Sequence, residues 1–272
     1  MNLIARIAGK CLRRLERWCG RNHVNPLLTL YVNLRLLPFG KAMKFPIWVY
    51  GWPHLPDLSG RVVFSTDIRS GLVRLNVVDL TPAQRGSSLE LAIAGTVVFG
   101  GRALIRSNTK IYVDNGAVMS IGHNLRMGAG IIINCLNEIR IGQGVRIGHR
   151  TQLLDSNMHF TVNLRTQRVH PMKKMIEIGE HSWLTNSVSV YGGAVVPPYS
   201  IVASGTLVNK DLSILGSNNV LGGNPCRVLC ESVRLVNNYD KELEIGAFYK
   251  ANPSGLFCVE SPLNEKEWFD NP

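Results

Sequence analysis

A chain of 272 residues with 45% hydrophobic content can bury a substantial core, as one large domain or one with appendages. Its 26 glycines and 7% aromatic content argue against a helical bundle and for tight turns between small stacked aliphatic side chains. The formal charge of +11 is unevenly placed: residues 1–44 carry nine Lys or Arg against Glu16 alone, a net +8, which leaves only +3 for the remainder. A basic arm joined to a nearly neutral body, with no recognisable nucleic-acid motif, argues against a nucleic-acid-binding protein.

The first twenty residues read as an amphipathic helix. Leu3, Ile4, Ile7, Ala8, Cys11, Leu12, Leu15, Trp18 and Cys19 share one face and the arginines take the other. Such a helix either lies on an anionic membrane surface or packs on the body or a neighbouring subunit. Residues 26–50 are apolar, but Asn33, Arg35, Lys41 and Lys44 interrupt them, so no run reaches the roughly 20 residues needed to span a bilayer. Trp48, Pro53 and Pro56 mark an irregular junction that ends the arm, 1–58.

From about residue 61 the chain turns strand-like, with Gly and Asn punctuation. Aliphatic residues recur every six positions in blocks: Ile93, Phe99, Ile105, Ile111; then Ile121, Met127, Ile133, Ile139; then Ile141, Ile147, Leu153. The longest block is Ile178, Leu184, Val190, Val196, Val202, Val208, Ile214 and Val220. Neither a helix nor a flat strand has that period; a hexapeptide repeat is the mark of a parallel β-helix. Repeated Ile-Gly pairs supply an inward side chain followed by a residue that tolerates a tight turn. The period breaks between Leu153 and Ile178, so the polar, basic segment 160–175 should project from the coil as a loop, a natural place for function. After Gly222-Gly223-Asn224-Pro225 the repeat ends, and residues 226–272 form an extension that caps the last coil or crosses to a neighbour. The β-helical body is thus 59–225. Six scattered cysteines and no secretory pattern point to reduced thiols in a cytoplasmic setting, with the arm available for peripheral attachment to the inner face of the membrane.

Four stretches in order carry a resemblance: Asp155-Ser-Asn-Met-His159, Ile178-Gly-Glu-His-Ser-Trp183, Ala203-Ser-Gly-Thr-Leu-Val-Asn-Lys-Asp211, and Gly223-Asn-Pro-Cys-Arg-Val228. Over roughly residues 90–230 the chain resembles the hexapeptide-repeat acyltransferases, in the branch of maltose, galactoside and polysaccharide O-acetyltransferases. The resemblance implies a left-handed parallel β-helix, a homotrimer with each active site between two subunits, and acetyl-CoA as co-substrate with no metal. The acceptor implied is a sugar hydroxyl of a bacterial surface polysaccharide, capsule or O-antigen, or its precursor.

His159 matches the family's catalytic histidine, a general base with a pKa near neutrality that takes the proton of the attacking hydroxyl. Asp155 and Asn157 flank it as candidate acceptor-binding residues; Asp155 either orients the imidazole, binds the acceptor, or simply forms a turn. Asn134, one coil earlier, falls near the family's polar acceptor-binding position, and Trp183 matches a tryptophan beside the cleft. Ser204 and Gly205 match the turn where backbone groups approach the pantetheine arm and an N–H can stabilise the thioester oxyanion. Lys210 and Arg227 match basic positions near the CoA phosphates. Two other readings compete. One is a zinc site of the gamma-class carbonic anhydrase kind, built from His149, His159, His170 and His181. The other is a catalytically silent β-helix scaffold.

Overall fold

The computed structural model describes residues 23–78, 88–259, 262–264 and 268–269. The helix expected over the first twenty residues, with Cys11 and Cys19, lies outside them.

The first described helix is α1 (Pro26–Leu36), capped by the Asn25 side chain, which accepts from Leu28 N–H at 3.1 Å, with Pro26 in the first turn where its missing N–H costs nothing. Thr29, Val32, Asn33 and Leu36 form its buried face. Asn33, which interrupts the apolar run in sequence, is fully buried because its amide donates to Ile47 C=O and accepts from Ile47 N–H, fastening the helix to the first strand. A single turn, α2 (Phe39–Ala42), follows.

Strands then fall in strict rotation onto three sheets. Ile47–Val49 begins a first sheet, His54–Asp57 a second and Arg61–Phe64 a third; apart from one projecting hairpin, each later strand as far as Asn219–Gly222 lies parallel on the one a full turn before it. The chain is therefore a three-faced parallel β-coil, and its coiling begins at Ile47, inside the stretch that the sequence assigned to the arm. The hexapeptide period is the strand-plus-corner of one face. Ile105, Met127, Ile147, Leu184 and Val202 stack inward from the first sheet, and Ile111, Ile133, Leu153, Val190 and Val208 from the second; all are buried. Corners stack as closely: a Cβ on Gly142 would come within 2.5 Å of Glu180 N, so the residue after the inward isoleucine has to be glycine.

The ladder departs from expectation at its end. Ile214 is 92% exposed and Val220 only half-buried, whereas Leu212 and Leu221 are inward. The reason is a 3-10 turn, Ser213–Leu215, in place of the next third-sheet strand, started by the Asp211 carboxylate accepting from Ser213 N–H at 2.8 Å. The turn shifts the phase. The C-terminal extension then runs Arg227–Glu231 antiparallel to Asn219–Gly222 on the first sheet, covering its last parallel edge. Helix α3 (Tyr239–Ala251) reaches back to that sheet through Glu242, 3.5 Å from Arg146.

Candidate functional site

With three strands per turn, three corners run the length of the coil, and every candidate residue can be assigned to one. The corner between the second and third sheets holds Asp155, Asn157 and His159, which follow the strand Gln152–Leu154, and Lys210, which follows Leu207–Val208 two turns higher. The corner between the first and second sheets holds Ser204 and Gly205, after Ile201–Val202. Trp183 lies on the first sheet, in register with Arg146 and Ile201. Asn134 faces outward on the second sheet between Tyr112 and Leu154. Arg227 sits on the terminal antiparallel strand, opposite Gly222.

The projecting segment is more ordered than a plain loop. Its base is pinned by a bridge between Ser156 and Lys173, by Asn157 N–H to Met172 C=O at 3.1 Å and by Lys174 N–H to Asp155 C=O at 2.8 Å. Its tip is a short hairpin pairing Val162–Asn163 with Arg168–Val169. The Asn163 side chain accepts from Arg165 and Thr166 N–H and forms the turn. Lys173 adds a tie the sequence did not reveal, its ammonium donating to Leu136 C=O at 2.7 Å and lying 3.5 Å from the Asp114 carboxylate. Those partners are 37 and 59 residues away, which only the coil register brings together.

His159 stands at the start of this hairpin, exposed, with no hydrogen-bond partner for its imidazole among the described residues. The corner is turned by Met158 at φ 61°, whose N–H donates to Ser156 Oγ at 3.1 Å. Asp155 is not aimed at the imidazole. It is fully buried, and its two carboxylate oxygens accept from Leu136 N–H at 2.8 Å and Asn137 N–H at 2.7 Å, holding the corner one turn below. Burial pushes its pKa up, against the downward pull of those hydrogen bonds. Beside it the buried Cys135 thiol is pushed up to about 12 by burial and by the Asp155 charge, so it is no nucleophile.

At the other corner, Gly205 has φ 73° and its N–H is committed to Asn186 C=O at 3.2 Å. Ser204 Oγ lies 3.1 Å from Thr185 Oγ1. A Cβ built on Gly205 would meet nothing within 4 Å, so a ligand can approach this backbone closely. Within one chain the two corners lie at opposite edges of the second sheet, separated by the length of a three-residue strand, roughly 10 Å, and by about two 4.8 Å rungs. One chain therefore does not bring His159 together with Ser204, Gly205 or Trp183.

The histidines considered for zinc are likewise dispersed. His149 is at the first corner, accepting from Ala129 N–H at 2.9 Å, His159 at the second, and His181 at the third, stacked on Tyr199 at 5.1 Å. His170 is in the hairpin segment, donating its backbone N–H to Thr161 C=O. Among the described residues no group of three or more His, Cys, Asp or Glu could hold a metal ion. The carbonic anhydrase reading is not favoured.

No family model matches this chain. In sequence it is similar to the Saccharomyces cerevisiae protein YJL218W, whose name carries a provisional acetyltransferase assignment: 27% identity over 133 residues, 48% of this chain. The match spans 66% of that relative, just under two thirds of its length. Among solved structures it is similar to the polysialic-acid-specific acetyltransferase NeuO, with a TM-score of 0.43 and 19% identity, covering 77% of this chain and 95% of that one. It is also similar to the polysialic acid O-acetyltransferase OatWY (TM-score 0.34, 18% identity, 79% and 96% covered). A third is the hexapeptide-repeat acetyltransferase VCA0836 of Vibrio cholerae O1 biovar eltor, solved with acetyl coenzyme A (TM-score 0.30, 18% identity, 80% and 87% covered). The chain resembles the hexapeptide-repeat acetyltransferases. Among its described residues no helix is long and apolar enough to cross a membrane.

Proposed function

We propose that this chain is an acetyl-CoA-dependent O-acetyltransferase acting on a sugar hydroxyl of a surface polysaccharide or its precursor, with His159 as general base. The observation that carries the reading is the exposed imidazole, set at the start of a hairpin whose base is tied to the rigid coil. A base so placed is open to an incoming hydroxyl yet fixed relative to the scaffold. His159 takes the hydroxyl proton as the sugar oxygen attacks the thioester carbonyl. The tetrahedral intermediate collapses with C–S cleavage, and the proton passes from the imidazole to the departing CoA thiolate. With Gly205 N–H already committed, the Ser204 N–H is the backbone donor that would face the oxyanion.

The coil is left-handed in this proposal, and three chains assemble so that the His159 corner of one meets the Ser204-Gly205 corner of the next. That arrangement accounts for the separation of the two corners within one chain. Trp183 and Asn134 then line the cleft, Asp155 supports its floor, Asn157 borders the acceptor, and Lys210 and Arg227 face the CoA phosphates. The work is cytoplasmic, at the inner membrane face, held there by the N-terminal arm. The outward face of α1, with Leu27, Leu30, Tyr31 and Leu34 exposed, extends that arm's apolar surface. The test is CoA thiol release from acetyl-CoA that depends on an added sugar acceptor and disappears in His159→Ala. Thiol release independent of the sugar would overturn the reading.

A further inference from the structure

The outward row of the first sheet runs, in register, Arg74, Leu104, Arg126, Arg146, Trp183 and Ile201. Two contiguous cavities, of about 330 and 440 Å³, open over its lower part, sharing Gly71, Leu72, Arg74 and Arg102. Arg69, Arg74, Arg102, Arg106 and Arg126 line them, against Asp67 as the one acidic residue among the described lining. Above Arg126 the row continues to Arg146, whose guanidinium donates to the Asn237 side chain and lies 3.5 Å from the Glu242 carboxylate.

This is a costly way to build a sheet. Arg126 stands directly opposite Arg146, and like charges in that relation repel. Burial, and then the charges of Arg146, Arg102 and Arg106, hold the Arg126 guanidinium below its ordinary pKa, although Glu242 opposes them. A concave groove that gathers the Arg69, Arg102 and Arg126 guanidinium groups is relieved by a ligand carrying several anionic groups, each able to accept two parallel hydrogen bonds. The groove's shape and lining narrow the ligand. A flat lipid surface would meet the rim rather than the floor of a cavity. Single-stranded nucleic acid requires successive open aromatic platforms; the lining offers the His123 imidazole, and the Trp48 ring beside Gly71 is covered by the Arg74 guanidinium, 5.6 Å from its centroid. A sugar chain with anionic groups along it needs neither, and suits a row rising at about 4.8 Å per rung toward Trp183.

We propose that this groove binds an anionic glycan, so that the first sheet holds the acidic polymer whose hydroxyl the enzyme modifies. The polymer's identity as acceptor rests on the acetyltransferase reading; its binding does not.

The test measures binding to the unliganded full chain by titration calorimetry. Its probes are an oligogalacturonate, maltohexaose of equal length, an oligothymidylate and CoA. Oligogalacturonate binds and maltohexaose does not, and the double variant Arg102→Gln, Arg126→Gln weakens oligogalacturonate binding on the order of tenfold or more. Lys110→Gln, which removes one positive charge from the second sheet, leaves binding within about twofold, whereas Arg126→Gln alone already weakens it beyond that. Removing two mutually repelling, solvent-facing charges should not lower the melting temperature, and Arg102→Lys, which keeps the charge but loses the fork, gives an intermediate loss. Equal binding of the neutral and acidic oligosaccharides, tighter binding of the oligothymidylate, or a loss in the double variant confined to CoA would each overturn the proposal. If the groove variants lose oligogalacturonate while the wild-type protein transfers no acetyl group to any sugar, the groove stands and the acetyltransferase reading fails. Transfer to an acidic glycan with unchanged binding in the variants would instead leave the acetyltransferase reading standing and overturn the groove.

Discussion

Asp155 and His159 lie four residues apart and have opposite fates: one is sealed in the corner of the coil, the other is open to solvent. The sequence marks both as polar residues at the edge of a broken repeat, and nothing in their spacing says which carboxylate oxygen meets which backbone N–H. The difference has a measurable consequence. Because burial raises the Asp155 pKa, the folded chain holds that proton more tightly than the unfolded chain does. The Asp155 contribution to stability therefore falls as pH rises above the ordinary carboxylate value of 3.8. Asp155→Asn cannot ionise. Thermal unfolding of wild type and variant across acid pH should show the wild type losing ground to the variant as pH rises. A gap moving the other way would mean the carboxylate is stabilised as an anion. Gly192 makes the second residue-scale test, since a Cβ there would lie 2.7 Å from the Asp155 carbonyl oxygen and force the His159 corner to move. A 1 Å displacement of a reacting group costs on the order of 10²-fold in rate, so Gly192→Ala should lower kcat by about that factor. A fully active variant would show that the corner does not position the base.

Among the elements, the inward ladder was legible and its end was not. Val190, Val196, Val202 and Val208 occupy the buried positions that the six-residue period assigns them, because one strand and one corner take six residues on every face. Ile214 fails because Leu212 is equally aliphatic, and only the Asp211 turn decides which of them enters the core. The excursion after Leu153 was readable as a break. Its hairpin form was not, since two-residue strands leave no period to detect. Membrane attachment through the N-terminal arm is open to a direct test. Removing residues 1–24 should weaken sedimentation with anionic vesicles while leaving transfer to a soluble acceptor unchanged. Equal vesicle binding by the truncated protein would count against a membrane role for residues 1–24.

Across the whole molecule, coil register sets apart residues that the motifs group together. His159 and the Ser204-Gly205 turn lie on different edges of one sheet, so the proposed site needs two chains. The arginine row illustrates the same point: Arg74, Arg126 and Arg146 are unrelated in sequence and become neighbours through coil register alone. If the site is shared, two defective chains can complement one another. Co-expressed His159→Ala and Gly205→Trp subunits should recover activity that neither has alone, because some interfaces then join two intact corners. Absence of any recovery in verified mixed oligomers would place the whole site on one chain.

The most direct measurement is the rate of sugar-dependent CoA release by His159→Ala beside the wild type. The imidazole is exposed and bonds to nothing among the described residues, so its removal should leave the melting temperature unchanged and lower kcat by about 10²–10⁴-fold, the usual contribution of a general base. A folded variant that turns over at the wild-type rate would contradict the role of His159 and, with it, the proposed mechanism.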